Sequence, residues 1–112
     1  MYYKNVERNK DFIYLDVFIW DTAKNELNKT NHNLSFELAS RVFNDPFLYQ
    51  DYDYKHSDDE DREKYIGQIN GYFVVSVINT DRNGLKRLIS ARKATKKEVK
   101  IYEENAKRIQ GN

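Results

Sequence analysis

An α+β fold is predicted from three observations. A β-branched and aromatic run lies near the start of the chain, two short segments with helix caps follow it, and the second half alternates apolar and polar residues between asparagine–glycine turns. The expected order is an N-terminal strand, two helices, an antiparallel sheet of three to four further strands, and a C-terminal helix. The 112 residues carry no repeat or interdomain linker and read as a single domain, 1–112, with 1–11 as a flexible extension.

Residues 12–20, Phe-Ile-Tyr-Leu-Asp-Val-Phe-Ile-Trp, suit a strand buried on most of both faces. Asp21 is an N-cap for a helix from Thr22 to about Asn31, with Ala23 and Leu27 four apart on its apolar face. Asn31 and Asn33 tolerate the left-handed stop that ends it. Ser35 caps a second helix, on which Phe36, Ala39 and Phe43 repeat at helical spacing. Asn44-Asp45-Pro46 ends it, since the residue before proline avoids helical geometry. Phe47 to Asp53 alternates weakly. Lys64 to Ile69, Tyr72 to Asn79 and Leu85 to Ala91 are strands joined at Asn70-Gly71 and Asn83-Gly84. Thr95 and Glu98 form a capping box, and Val99, Tyr102, Ala106 and Ile109 stripe the last helix. The helices are expected to pack on one face of the sheet.

Composition narrows the function. With no cysteine there is no disulfide scaffold, thiolate metal site or cysteine nucleophile. The longest nearly apolar run is eight residues, Ile13 to Trp20, too short to cross a bilayer, and the first residues carry no apolar signal core. A cytoplasmic protein without a membrane partner is expected. The net charge of +1 conceals a dipole. Residues 44–63 hold two basic and eight acidic side chains, and residues 82–112 hold ten basic and three acidic ones. Such a basic stretch attracts phosphate if it folds onto one face; otherwise it is a solvated helix face.

The acidic run fails as a calcium loop: read from Asp51, His56 stands where glycine is needed and Arg62 where glutamate is needed. The two histidines, His32 and His56, have no metal-ligand spacing. There is no Gly-x-Ser-x-Gly elbow and no phosphate loop. No metal or cofactor is expected. Metal-free RNA cleavage fits the inventory better, because RNA brings its own 2′-hydroxyl nucleophile. The enzyme must position it, move protons and stabilise charge on phosphorus, and arginine suits the last task. On a regular strand, Lys86, Leu88, Ser90 and Arg92 point one way, and Arg87, Ile89 and Ala91 the other. Solubilising groups on an edge strand are the competing explanation. Fifteen tyrosine and phenylalanine rings exceed what one small core needs. Those at Tyr49, Tyr52 and Tyr54, beside acidic charge, suit a protein partner better than RNA.

Phe18-Ile19-Trp20-Asp21-Thr22-Ala23-Lys24, then Asn28, His32 and Ser35-Phe36-Glu37, together with Asp45-Pro46, Glu60-x-Arg62 and Gly67, resemble the BrnT toxin family. The most specific piece is Leu88-Ile89-Ser90-Ala91-Arg92-Lys93-Ala94-Thr95-Lys96-Lys97-Glu98, closed by Tyr102-Glu103. The resemblance covers roughly residues 18–104. It implies a RelE-like fold and a bacterial type II toxin that cleaves RNA without a metal and halts translation. It also implies a BrnA-type ribbon-helix-helix antitoxin, with operator DNA contacted only through that antitoxin. Carried onto this chain, it implies that Arg87 and Arg92 hold the scissile phosphate, that Arg62 assists from the facing strand and that His32 transfers protons. Lys29, Lys86 and Lys93 would bind RNA phosphates. The family pattern usually has Lys-His-Gly where this chain has Asn31-His32-Asn33. That departure motivates a second reading: a weak or inactive member that binds its antitoxin in operator autoregulation.

Overall fold

The computed structural model describes residues 12–15, 17–52, 54, 61–70 and 73–111, with backbone alone for 12–15. The expected extension at 1–11, Asp16, most of the acidic tract and the Gly71-Tyr72 part of the first hairpin turn lie outside the described residues. Among the described residues, no helix is long and apolar enough to cross a membrane.

The apolar run at 12–20 is not one strand. It forms β1, Phe12–Leu15, and β2, Phe18–Asp21, an antiparallel pair in which Leu15 faces Phe18 across a two-residue connection. The break coincides with Asp16, the one charged residue in the run. Asp21 then caps α1, Thr22–His32, its Oδ1 accepting from the Ala23 amide at 2.8 Å. Asn33 stops the helix at φ 54°. The buried position of α1 is Asn28, whereas Leu27 is 60% exposed, so the expected Ala23–Leu27 face is not the packed one. Asn28 donates to the carbonyls of Leu34 (2.8 Å) and Ala91 (2.9 Å) and accepts from the Ala91 amide at 3.2 Å. A polar clamp, fully satisfied, takes the place of an apolar stripe.

The second helix is also shorter than expected. Ser35 caps α2, Phe36–Ala39, which tightens into a 3-10 helix at Ser40–Asn44. Phe36, Ala39 and Val42 are buried at a spacing of three, the 3-10 period, in place of Phe43. The rest follows as β3, Tyr49–Gln50; β4, Glu63–Ile69; β5, Phe73–Arg82; β6, Leu85–Lys93; and α3, Lys96–Gln110. Asn83 (φ 53°) and Gly84 (φ 87°) form the tight β5–β6 turn, both in the left-handed region that such hairpins demand.

The six strands lie in the order β1-β2-β6-β5-β4-β3. The sheet is mixed, because β2 runs parallel to β6, with Phe18 beside Lys86 and Ile19 beside Arg87. The expected antiparallel sheet of three to four further strands is β3–β6; the N-terminal strand joins it in parallel because α1 and the segments after it carry the chain to the far side before it returns. Helices cover both faces of the sheet, a departure from expectation. Trp20, Phe36, Ala39, Val42, Ile69, Val75, Val77, Leu88 and Ala91 form the core beneath α1, α2 and the 3-10 helix. Gly67 makes that approach possible, since a Cβ there would meet Val42 Cβ at 2.9 Å and Leu48 Cδ1 at 2.8 Å. Residues of opposite parity on β4 meet α3 instead, as Lys64 does with Glu98. On α3 the buried residues are Glu98, Tyr102 and Asn105, while Ile109 is 48% exposed.

Candidate functional site

The cationic face is made by a β-bulge. Asn79 pairs with Leu88 and Ile78 with Ser90, so Ile89 has no partner on β5 and the alternation of β6 resets there. Leu88 and Ala91, three apart, both enter the core. Arg87 faces Thr80, Ser90 faces Ile78, and Arg92 faces Ser76, all on the α3 side. A regular strand would send Arg87 and Arg92 to opposite faces, as the sequence suggests; the bulge brings them to the same one. Lys64, paired with Ile78, joins them from β4. Alternation continued one residue back from β4 assigns Arg62 to this face as well.

The ionic centre of this face is Glu98, whose side chain is 9% exposed. Its Oε1 accepts from Arg92 Nη1 at 2.8 Å and its Oε2 from Arg92 Nη2 at 3.0 Å. Lys64 Nζ lies 2.5 Å from Oε2, and the Thr95 amide donates to Oε1 at 2.9 Å. Asp51 stands 3.9 Å from Lys64. Burial alone would raise the Glu98 carboxyl. The hydrogen bonds from Arg92, Lys64 and Thr95 outweigh it and hold the group at about 2. Glu98 is therefore ionised at neutral pH, an anchor for cations and a poor proton shuttle. The same hydrogen bond raises the Arg92 guanidinium above its ordinary value.

The other expected residues lie elsewhere. Lys86 is on the core side, its Nζ 5.6 Å from the Phe43 ring centre, 5.2 Å from that of Tyr65 and 3.4 Å from Glu63 Oε1. His32 is exposed and lines a pocket of about 280 Å³ with Asn33, Leu34, Phe73 and Lys93. Lys29 is exposed and paired with Glu26 at 3.0 Å. Arg87 and Arg92 thus share one face, whereas His32 and Lys93 line a separate pocket.

Two members of the ionic centre are not evident from the sequence. Lys64 stands alone in a strand, and Glu98 reads only as the third residue of a capping box. The box is present, with Thr95 Oγ1 accepting from the Glu98 amide at 3.1 Å. The second role of its carboxylate depends on two strands, β6 just before it and β4, whose Lys64 stands more than thirty residues earlier. Among the described residues no group of three or more histidine, aspartate or glutamate side chains comes together as a metal site.

Guanidinium and ammonium groups gathered around the Glu98 carboxylate on one face of a small mixed sheet define the class: an α+β protein with a basic sheet face. Residues 20–98 match the family described as "Ribonuclease toxin, BrnT, of type II toxin-antitoxin system". The chain belongs to that family of ribonuclease toxins. It is similar to the crystal structure of the Brucella abortus ribonuclease toxin BrnT, with a TM-score of 0.53 and 24% identity. That alignment covers 69% of this chain and 94% of the Brucella one, and it supports the fold. No curated protein sequence matches the chain. Membership implies RNA as the target and an antitoxin as the partner.

Proposed function

We propose that this chain is a metal-independent endoribonuclease of RelE-like fold that works in the cytoplasm, cuts RNA and halts translation. A BrnA-type ribbon-helix-helix antitoxin would neutralise it and make the contacts to operator DNA. The observation that carries this reading is the bulge at Ile89, which puts Arg87 and Arg92 on one face beside Lys64. In the proposed reaction a general base takes the 2′-hydroxyl proton, the 2′-oxygen attacks phosphorus to form a 2′,3′-cyclic phosphate as the bond from phosphorus to the 5′-oxygen breaks, and a general acid returns a proton to the leaving 5′-oxygen. Charge builds on the non-bridging oxygens, and fixed guanidinium groups that need no reorganisation stabilise it. Arg62 supports the same phosphate from the β4 side. His32 and Lys93, in their separate pocket, suit contact with RNA beyond the scissile bond.

The test is RNA cleavage in excess chelator by purified, folded R87A and R92A variants. Each is expected to lose about 100-fold or more in rate, the scale of removing a charge-stabilising donor. Full activity in both sinks the reading. Asn31, at the position where the family usually has lysine, supports the second reading of an inactive antitoxin-binding member. Induction without the antitoxin separates the two: growth arrest with RNA cleavage supports the enzyme, and neither supports the binding role.

A further inference from the structure

Arg92 carries five N–H hydrogens, and its hydrogen bonds with the described residues use three of them. One Nη1 hydrogen goes to Glu98 Oε1 and the other to the Lys93 carbonyl at 3.2 Å; one Nη2 hydrogen goes to Glu98 Oε2. Glu98 thus occupies the end fork, between the two terminal nitrogens. The side fork, Nε–H with the outer Nη2 hydrogen, has no hydrogen bond to any described residue, and the Arg92 side chain is 38% exposed. That fork is the shape that receives two phosphate oxygens.

The carboxylate itself is immobile. Both oxygens are doubly engaged: Oε1 by Arg92 and the Thr95 amide, Oε2 by Arg92 and Lys64. Lys64 and Arg92 stand on strands separated by β5, so one carboxylate draws two cations together that would otherwise repel. With Asp51 3.9 Å from Lys64, two cations face two carboxylates, and the hydrogen-bonding capacity left for an anion is the side fork of Arg92.

We propose that Glu98 is the positioning residue for Arg92: it grips the guanidinium by its end and presents the side fork to the scissile phosphate. This rests on the phosphate-holding role given to Arg92 above. A first turn of helix is a rigid mount, and the Thr95 backbone amide, which holds Glu98 Oε1 whatever side chain stands at 95, helps to fix the direction of Arg92.

The experiment compares wild type, E98Q, R92K, the E98Q/R92K double variant and T95A on one RNA substrate, with melting temperatures alongside. Glutamine keeps the shape and one acceptor oxygen but replaces the other with a donor facing two cations. E98Q is expected to lower kcat about 10- to 100-fold while KM moves less than about 3-fold, since orientation matters most in the transition state. The double variant is expected to match R92K within about 2-fold, because Glu98 acts through Arg92. T95A is expected to lower the melting temperature and keep kcat. A wild-type kcat in E98Q, losses that multiply in full in the double variant, or an equal kcat loss in T95A each overturns the positioning role. Full cleavage by R92K, or none by wild type, overturns the phosphate role beneath it and this inference with it.

Discussion

Glu98 shows how much one side chain does when three elements converge on it. It closes the capping box, joins α3 to β6 through Arg92, and joins α3 to β4 through Lys64. Its carboxyl has an ordinary value of 4.5 and is held at about 2 in the fold. A carboxyl depressed on folding contributes stability that is fully present above its unfolded value and is lost as pH falls through its folded value. The stability difference between wild type and E98Q is therefore expected to shrink as pH falls from about 4.5 to about 2. Urea unfolding of both proteins at stepped pH measures it, and a difference that stays constant across that window rules the linkage out. Tyr102 behaves in the opposite sense. Burial and the nearby Asp45 carboxylate, which accepts its hydroxyl at 2.6 Å, push the phenol well above its ordinary value.

At the scale of elements, close approach and irregularity do the work. Val42 of the 3-10 helix lies against β4 at Gly67, the one position on that strand without a side chain. Gly67→Ala is expected to cost about 1–3 kcal/mol, the range for overpacking a filled core, because Val42 Cβ is close to the backbone and yields little. Equilibrium denaturation measures this, and a neutral result would show that the 3-10 helix shifts freely. The hairpins, the caps at Asp21, Ser35 and Thr95, and the stop at Asn33 were all legible, since each depends on neighbours within a few residues. The break at 15–18, the 3-10 tightening after Ala39 and the bulge at Ile89 were not, because each is set by pairing or packing between elements and not by the residue types in the segment itself.

For the whole molecule, the charge segregation becomes spatial only in part. Arg87, Arg92 and Lys64 share a face, while Lys86 is enclosed by two rings on the other side and Lys29 is paired along its own helix. Phosphate contact releases counterions, with a slope of about 0.7 in log affinity against log salt for each cation on single-stranded RNA. Binding of an RNA blocked by a 2′-deoxy group at the scissile nucleotide is expected to lose about that much slope in R87A. An unchanged slope between about 50 and 200 mM salt, the range over which such slopes are read, would remove Arg87 from the phosphate contact.

The sequence by itself determined the class of fold, the positions of most caps and turns, and membership in a ribonuclease toxin family, through motifs whose physics is local. It also singled out Arg62, Arg87 and Arg92 as candidates. The tertiary structure alone decided which of them face the same way. A strand alternates strictly only while its hydrogen-bond ladder is unbroken, and whether β6 carries an extra residue depends on pairing with β5 and on burying Leu88 and Ala91 together. It also decided that the Glu98 carboxylate, a helix cap in the sequence, is the anchor of Arg92 and Lys64, because those cations reach it from strands on either side of β5.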